Sequence, residues 1–155
     1  MSEFVRITDV SPRDGLQNER GFVSTEDKLA LIERLIEAGV DEVEVTSFVS
    51  PKWIPQLADA EELLGRLGER VRGIARRPVF SVLAPNERGL DRALALHDPK
   101  GGFPLKIALF TAASETFSRK NTNATIAETI DRFRPIVPRA LAAGMPIRLY
   151  ISCAI

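Results

Sequence analysis

The chain has 155 residues, 45% hydrophobic and 27% charged, a balance that speaks for a single globular domain and against a disordered or fibrous polypeptide. Basic and acidic residues number 21 each, so no overall field draws the chain to nucleic acid or an anionic membrane, and small molecules are the expected partners. The single cysteine, Cys153, excludes an internal disulfide framework; with no signal-peptide pattern and no apolar run of about 18 residues, cytoplasm is the expected compartment.

Val5 to Val10 reads as a first strand, closed by the turn-rich Ser11-Pro12-Arg13-Asp14-Gly15, in which Gly15 is expected to release the backbone. Ser24 can cap a helix, with Asp27 replying as the acidic member of a capping box. Leu29, Ile32, Leu35 and Ile36 then recur at helical spacing until Gly39 stops them. The unit repeats. Glu42 to Phe48 is strand-like, Ala58 to Leu67 helix-like, Pro78 to Leu83 strand-like, Glu87 to Leu96 helix-like, and Leu105 to Thr111 a fourth strand. Thr125 and Glu128 offer a second capping box, followed by Ile130, Phe133, Val137 and Leu141 on one face and Gly144 as the stop. Pro135 and Pro138 should kink or shorten this helix. Ile147 to Ile155 is a fifth strand.

Strict strand–helix alternation with short connections implies a parallel sheet, either doubly wound or closed as a barrel. Val43 and Val45 alternate with Glu44 and Thr46, and Ile147, Leu149 and Ile151 with Arg148, Tyr150 and Ser152. A doubly wound sheet is apolar on both faces, whereas a barrel can turn a polar face into its lumen. The pattern therefore favours a (β/α)8 TIM barrel, of which residues 1–155 cover about the first five strands and four helices as part of one domain.

The densest chemistry is Ser11 to Glu19, at the carboxy-terminal end of the first strand, where such barrels carry their active sites. Asp14 can offer oxygen to a hard cation, and Arg13 can grip a carboxylate or a developing enolate with two donors. On spacing alone a surface turn with a solvated Arg–Asp pair is the better reading. Arg148 and Tyr150 face the same lumen if the alternation holds, so a carboxylate or a substrate is expected opposite the guanidinium. His97 reads as a solvated residue in a loop on the far face. Cys153 should face the helix layer in an apolar role. Gly101-Gly102 lacks the rest of a phosphate loop, and Arg76-Arg77 is too small a patch for nucleic acid.

Four ordered blocks change the weight of this site. Val10 to Glu19, Thr46 to Gln56, Phe110 to Phe117 with Arg119 to Asn121, and Tyr150 to Ala154 together resemble the 3-hydroxy-3-methylglutaryl-CoA lyase family. Its wider superfamily shares the Arg-Asp-Gly-x-Gln core matched by Arg13 to Gln17; the long second block singles out the lyase branch.

The resemblance implies a divalent metal cofactor, Mg²⁺ or Mn²⁺, and an acyl-CoA thioester substrate. Asp14 is then a direct metal ligand, and Arg13 stabilises charge on the thioester oxygen. Gln17 helps fix the substrate. Glu44 stands in the metal's outer shell or pairs across the lumen with Arg148. Ser47, Arg148 and Tyr150 are further candidates for substrate contact, Arg20 and Ser114 weaker ones. The family's two metal-binding histidines, an asparagine and a mobile cysteine lie in the later half of the barrel, outside this chain. A homo-oligomer is the expected assembly. A Claisen-type acyltransferase of the same superfamily and an inactive fragment or interaction module are the alternatives.

Overall fold

The structure is a computed structural model that describes residues 4–154. Five parallel strands lie in the order β1 (Thr8–Asp9), β2 (Glu42–Ser47), β3 (Val79–Leu83), β4 (Leu105–Ala112) and β5 (Ile147–Ser152), each bonded to its neighbour in sequence. The sheet curls into a half-barrel. The helices are α1 (Thr25–Ala38), α2 (Ala60–Arg70), α3 (Glu87–Leu96), α4 (Glu115–Thr122) and α5 (Ile126–Ala142), and none is long and apolar enough to cross a membrane.

The helix signals act as physical chemistry requires. Ser24 accepts the Asp27 N–H and caps α1, but the Asp27 carboxylate takes the Ser24 hydroxyl instead of completing the box. At α5 both halves of the box form between Thr125 and Glu128. Gly39 and Gly144 end α1 and α5 at φ 77° and 76°, the left-handed conformation that costs a residue without a side chain least. Pro135 and Pro138 do not shorten α5. The carbonyls that lose their donors belong to Asp131 and Arg134, both exposed, so water can take them.

The outward strand residues Val43, Val45, Phe80, Val82, Leu105 and Ile107 pack against Leu29, Ile32, Leu63, Leu67, Leu90 and Ile136 of the helices, all buried. Each such side chain contributes about 1.5–3 kcal/mol on burial. Ion pairs tie successive helices on the outside. Arg66 and Arg70 reach Glu26, Arg70 also holds Glu33 at 2.9 Å, Arg92 meets Glu61, and Arg139 meets Asp91 at 2.5 Å. The two edges are less well covered: Leu149 and Ile151 on β5 are 47% and 54% exposed, and Phe4, Val5 and Ile7 are exposed beside β1.

Several expectations are corrected. The first strand is two residues long and ends at Asp9, because the Val10 carbonyl leaves the sheet to start a π-helical turn. A fifth helix, α4, follows β4. In β2 the register slips between Glu44 and Thr46, so alternation fails beyond Glu44. Phe48, two residues past Thr46, packs on Gly89, with the Arg92 guanidinium 4.8 Å from its ring centre. His97 is no solvated residue: its Nδ1 accepts the Leu105 N–H at 2.9 Å and its Nε2 contacts the Ala143 carbonyl at 3.0 Å, joining β4 to the end of α5. Cys153 is exposed, at φ 56°, just past β5, which stops at Ser152; Ile155 lies outside the described residues.

Candidate active site

The turn after β1 is built by its own backbone. The Asp9 carboxylate accepts both the N–H and the hydroxyl of Ser11, at 2.9 and 2.5 Å. The Val10 carbonyl then gathers the N–H groups of Arg13, Asp14 and Gly15 into one π-helical turn, Ser11–Gly15. Such wide turns recur at functional sites. Gly15 sits at φ −62°, a conformation open to any residue, so the backbone does not require glycine there.

This turn sets Arg13, Asp14 and Gln17 at the mouth of the half-barrel. The Arg13 Nε donates to Glu44 Oε1 at 2.5 Å and its Nη1 to Asp14 Oδ1 at 2.6 Å, while the Gln17 amide donates to the same Asp14 oxygen at 3.3 Å. Arg13 Nη2 and Asp14 Oδ2 make no hydrogen bond among the described residues. Asp14 is 52% exposed; Glu44 is completely buried.

Below the mouth the lumen is filled by a polar network. Tyr150 donates its hydroxyl to Glu44 Oε2 at 2.7 Å. Arg148 donates to Glu42 at 3.0 Å and to the Thr8 hydroxyl at 3.0 Å, and Lys106 reaches Glu42 at 2.9 Å. Arg148 therefore pairs with Glu42, and the partners of Glu44 are Arg13 and Tyr150. With Asp14 this gives three carboxylates against three cations, the balance that lets charges leave water.

Burial pushes the Tyr150 hydroxyl above its ordinary value, and the Glu44 carboxylate adds to the rise, with Arg148 opposing. Burial lowers the pKa of Arg148, but Tyr150 and Glu42 outweigh it and the net direction is up. Because the tyrosine's folded pKa is raised, its contribution to stability is complete below the unfolded value of 10.0 and is lost as pH climbs through the folded one. Tyr150 is the single tyrosine, so absorbance near 295 nm, a roughly standard phenolate wavelength, reads it directly. Glu44→Gln is expected to move that titration down without returning it fully to the unfolded position; an unchanged curve would remove Glu44 as its partner.

The cavity at the strand ends has a volume of about 610 Å³. Its lining combines the polar Arg13, Asp14, Gln17, Asn121 and Arg132 with the apolar Trp53, Ile54, Phe110 and Phe117. A ligand with an ionised head and a long, partly apolar body suits it. Ser47 is buried behind this lining, its hydroxyl accepting the Val49 N–H at 3.2 Å and approaching the Leu83 carbonyl at 3.4 Å. Ser114 caps α4, and Arg20 is exposed. Arg148 and Tyr150 support the site from beneath and do not line the cavity. The sequence reading missed Glu42 and Lys106, although Glu42 lies two residues before Glu44 and so shares its face. It also missed Trp53, Phe117 and Arg132. Among the described residues no group of three His, Cys, Asp or Glu side chains could hold a metal ion.

Parallel strands curled in sequence order, with helices outside, define the class: a half-barrel that matches part of a (β/α)8 barrel, with a charged cluster at the carboxy-terminal strand ends. Within that class the chain belongs to the HMGL-like family, whose model matches residues 4–155. It is 45% identical over 153 residues to the mitochondrial hydroxymethylglutaryl-CoA lyase of Bos taurus, an alignment covering 97% of this chain and 43% of that protein. The crystal structure of the HMG-CoA lyase from Brucella melitensis superposes with a TM-score of 0.85 at 46% identity, covering 99% of this chain and 50% of that one. An HMG-CoA lyase from Acinetobacter baumannii, solved with coenzyme A and 3-methylmalate, superposes with a TM-score of 0.77 at 32% identity, over 97% of this chain and 47% of that one. The chain thus spans less than half the length of the curated relatives it matches.

Proposed function

We propose that this chain forms the amino-terminal half of the active site of a metal-dependent carbon–carbon lyase. Its substrate is 3-hydroxy-3-methylglutaryl-CoA or a close 3-hydroxyglutaryl thioester, cleaved to acetyl-CoA and, for the parent substrate, acetoacetate. The observation that carries this reading is the fixed geometry of Arg13: two of its donors are held by Glu44 and Asp14 while Nη2 stays available at a cavity large enough for an acyl chain. Relatives named for this activity, one of them solved with coenzyme A, support it.

Asp14 is the residue of this chain that fits a divalent cation, because its Oδ2 makes no hydrogen bond among the described residues and its half-exposed side chain lines the cavity. Such a cation takes about six ligands, so Asp14 would be one donor, with substrate, water and further residues completing the set. When bound, the metal lowers the pKa of the substrate's tertiary hydroxyl. Arg13 places its free Nη2 to receive negative charge on the thioester oxygen as the carbon–carbon bond breaks, a donor set in place beforehand by Glu44. Gln17 orients the substrate's acyl end, and Tyr150, through Glu44, keeps the guanidinium in its plane. We place this activity in the cytoplasm, where a reducing pool suits an exposed thiol such as Cys153.

In a polypeptide carrying the whole barrel, Asp14→Asn is expected to weaken Mg²⁺ or Mn²⁺ binding by about ten-fold or more, since a neutral amide replaces an anionic ligand. Calorimetry showing the metal bound as before would take Asp14 out of the coordination sphere.

A further inference from the structure

Lys28 is a charge where the helical pattern calls for an apolar residue. It sits on the inner face of α1 beside Leu29 and Ile32, 1% exposed. Its ammonium donates to the Gln56 carbonyl at 2.5 Å and to Asp59 Oδ1 at 2.7 Å. Asp59 holds the N-cap position of α2 yet caps nothing there; its carboxylate is turned to Lys28 and to the Thr25 hydroxyl at 2.8 Å. Gln56 gives its amide hydrogens to the carbonyls of Glu19 and Gly21, at 2.8 and 2.7 Å, and leaves its own side-chain oxygen buried without a partner.

Each of these choices costs stability. A buried cation must be paired, an N-cap is forfeited, and an acceptor is orphaned, where a well-packed apolar side chain would hold α1 to its neighbours without those penalties. What they gain is position. The segment between β2 and Gln56 carries Val49, Ser50, Trp53 and Ile54 of the cavity wall, and the segment grasped by Gln56 is the continuation of the turn that carries Asp14 and Gln17.

We propose that Lys28, Asp59 and Gln56 are positioning residues: a clamp that holds the Val49–Ile54 wall against the Asp14–Gln17 turn and so sets the width of the cleft. That the cleft receives a thioester rests on the function proposed above; the clamp itself does not. Its failure and the failure of that reading are separable, because the test needs no turnover.

The test is amide hydrogen exchange of a polypeptide carrying the whole barrel and of two variants, with the fluorescence of Trp53, the single tryptophan of residues 1–155, as a second reporter. Gln56→Glu keeps the shape and removes both donors. Lys28→Met/Asp59→Leu removes both charges together, leaving no buried ion unpaired. The N–H groups of Trp53 and Ile54, which donate to the Ser50 carbonyl at 2.9 and 3.2 Å, are expected to exchange about ten-fold faster in both variants. The fast local component of Trp53 fluorescence anisotropy decay is expected to grow with it, while the core amides of Val43, Val45 and Val82 keep their protection. Exchange at Trp53 and Ile54 that is unchanged, or that rises only in step with the core, would overturn the clamp and leave Lys28 a packing residue.

Discussion

In a polypeptide carrying the whole barrel, Arg13→Lys is expected to lower kcat by about 10²–10³ while KM changes far less. The guanidinium is a fork with two prongs assigned, Nε to Glu44 and Nη1 to Asp14, and the proposed role gives the third, Nη2, to the substrate oxygen. An ammonium is a point charge on a flexible stem and cannot satisfy three directions set by a plane. It would still attract an anionic substrate, which is why affinity survives when turnover does not. Near-normal kcat in Arg13→Lys would refute the proposed enolate role.

Residues 1–155 by themselves are expected to release no acetoacetate and to self-associate. Asp14 would be one anionic ligand, and no cluster of metal-binding side chains surrounds it among the described residues. The half-exposed Leu149 and Ile151 on β5, and the exposed Phe4, Val5 and Ile7 beside β1, lie at sheet edges whose backbone groups invite another strand. A coupled assay for acetoacetate and sedimentation of the purified chain check both halves. Asp14-dependent activity from a monomer would sink the expectation.

Where hydrophobic period and polar alternation were strong, the fold could be read from residues alone. Ile147 to Ser152 alternates cleanly, and its polar set, Arg148 and Tyr150, does turn into the lumen. The caps at Ser24 and Thr125 marked α1 and α5 because they bond only to atoms a few residues away. α4 escaped notice for the converse reason. Its sequence from Glu115 to Thr122 is mostly polar and buries only Ser118, so there is no apolar stripe to detect. The slip in β2 was equally silent, because Val-Glu-Val-Thr keeps its two-residue rhythm whether or not a bulge breaks the pairing. The lumen pairs posed a different difficulty. Nothing local distinguishes Glu42 from Glu44 as the mate of Arg148, since that choice depends on how far the sheet has curled between β2 and β5. The family blocks pointed to Arg13, Asp14 and Gln17, and the structure brings these together with Glu44; it places Ser47 behind the cavity wall.

Each strand bonds only to its neighbours in sequence, and this has a kinetic corollary. A chain leaving the ribosome can lay down β1 to β4 one unit at a time, each docking on the last across a modest loop. The contacts that cross the lumen are of another kind: Arg148 to Glu42 and Tyr150 to Glu44 each span 106 residues, and Arg148 to Thr8 spans 140. Until β5 arrives, Glu42 and Glu44 lack these partners and stay hydrated, and the guanidinium of Arg13 has a carboxylate to bind but no settled plane. Docking of β5 brings these partners last, so the Arg13 guanidinium acquires its settled plane only when that strand is home.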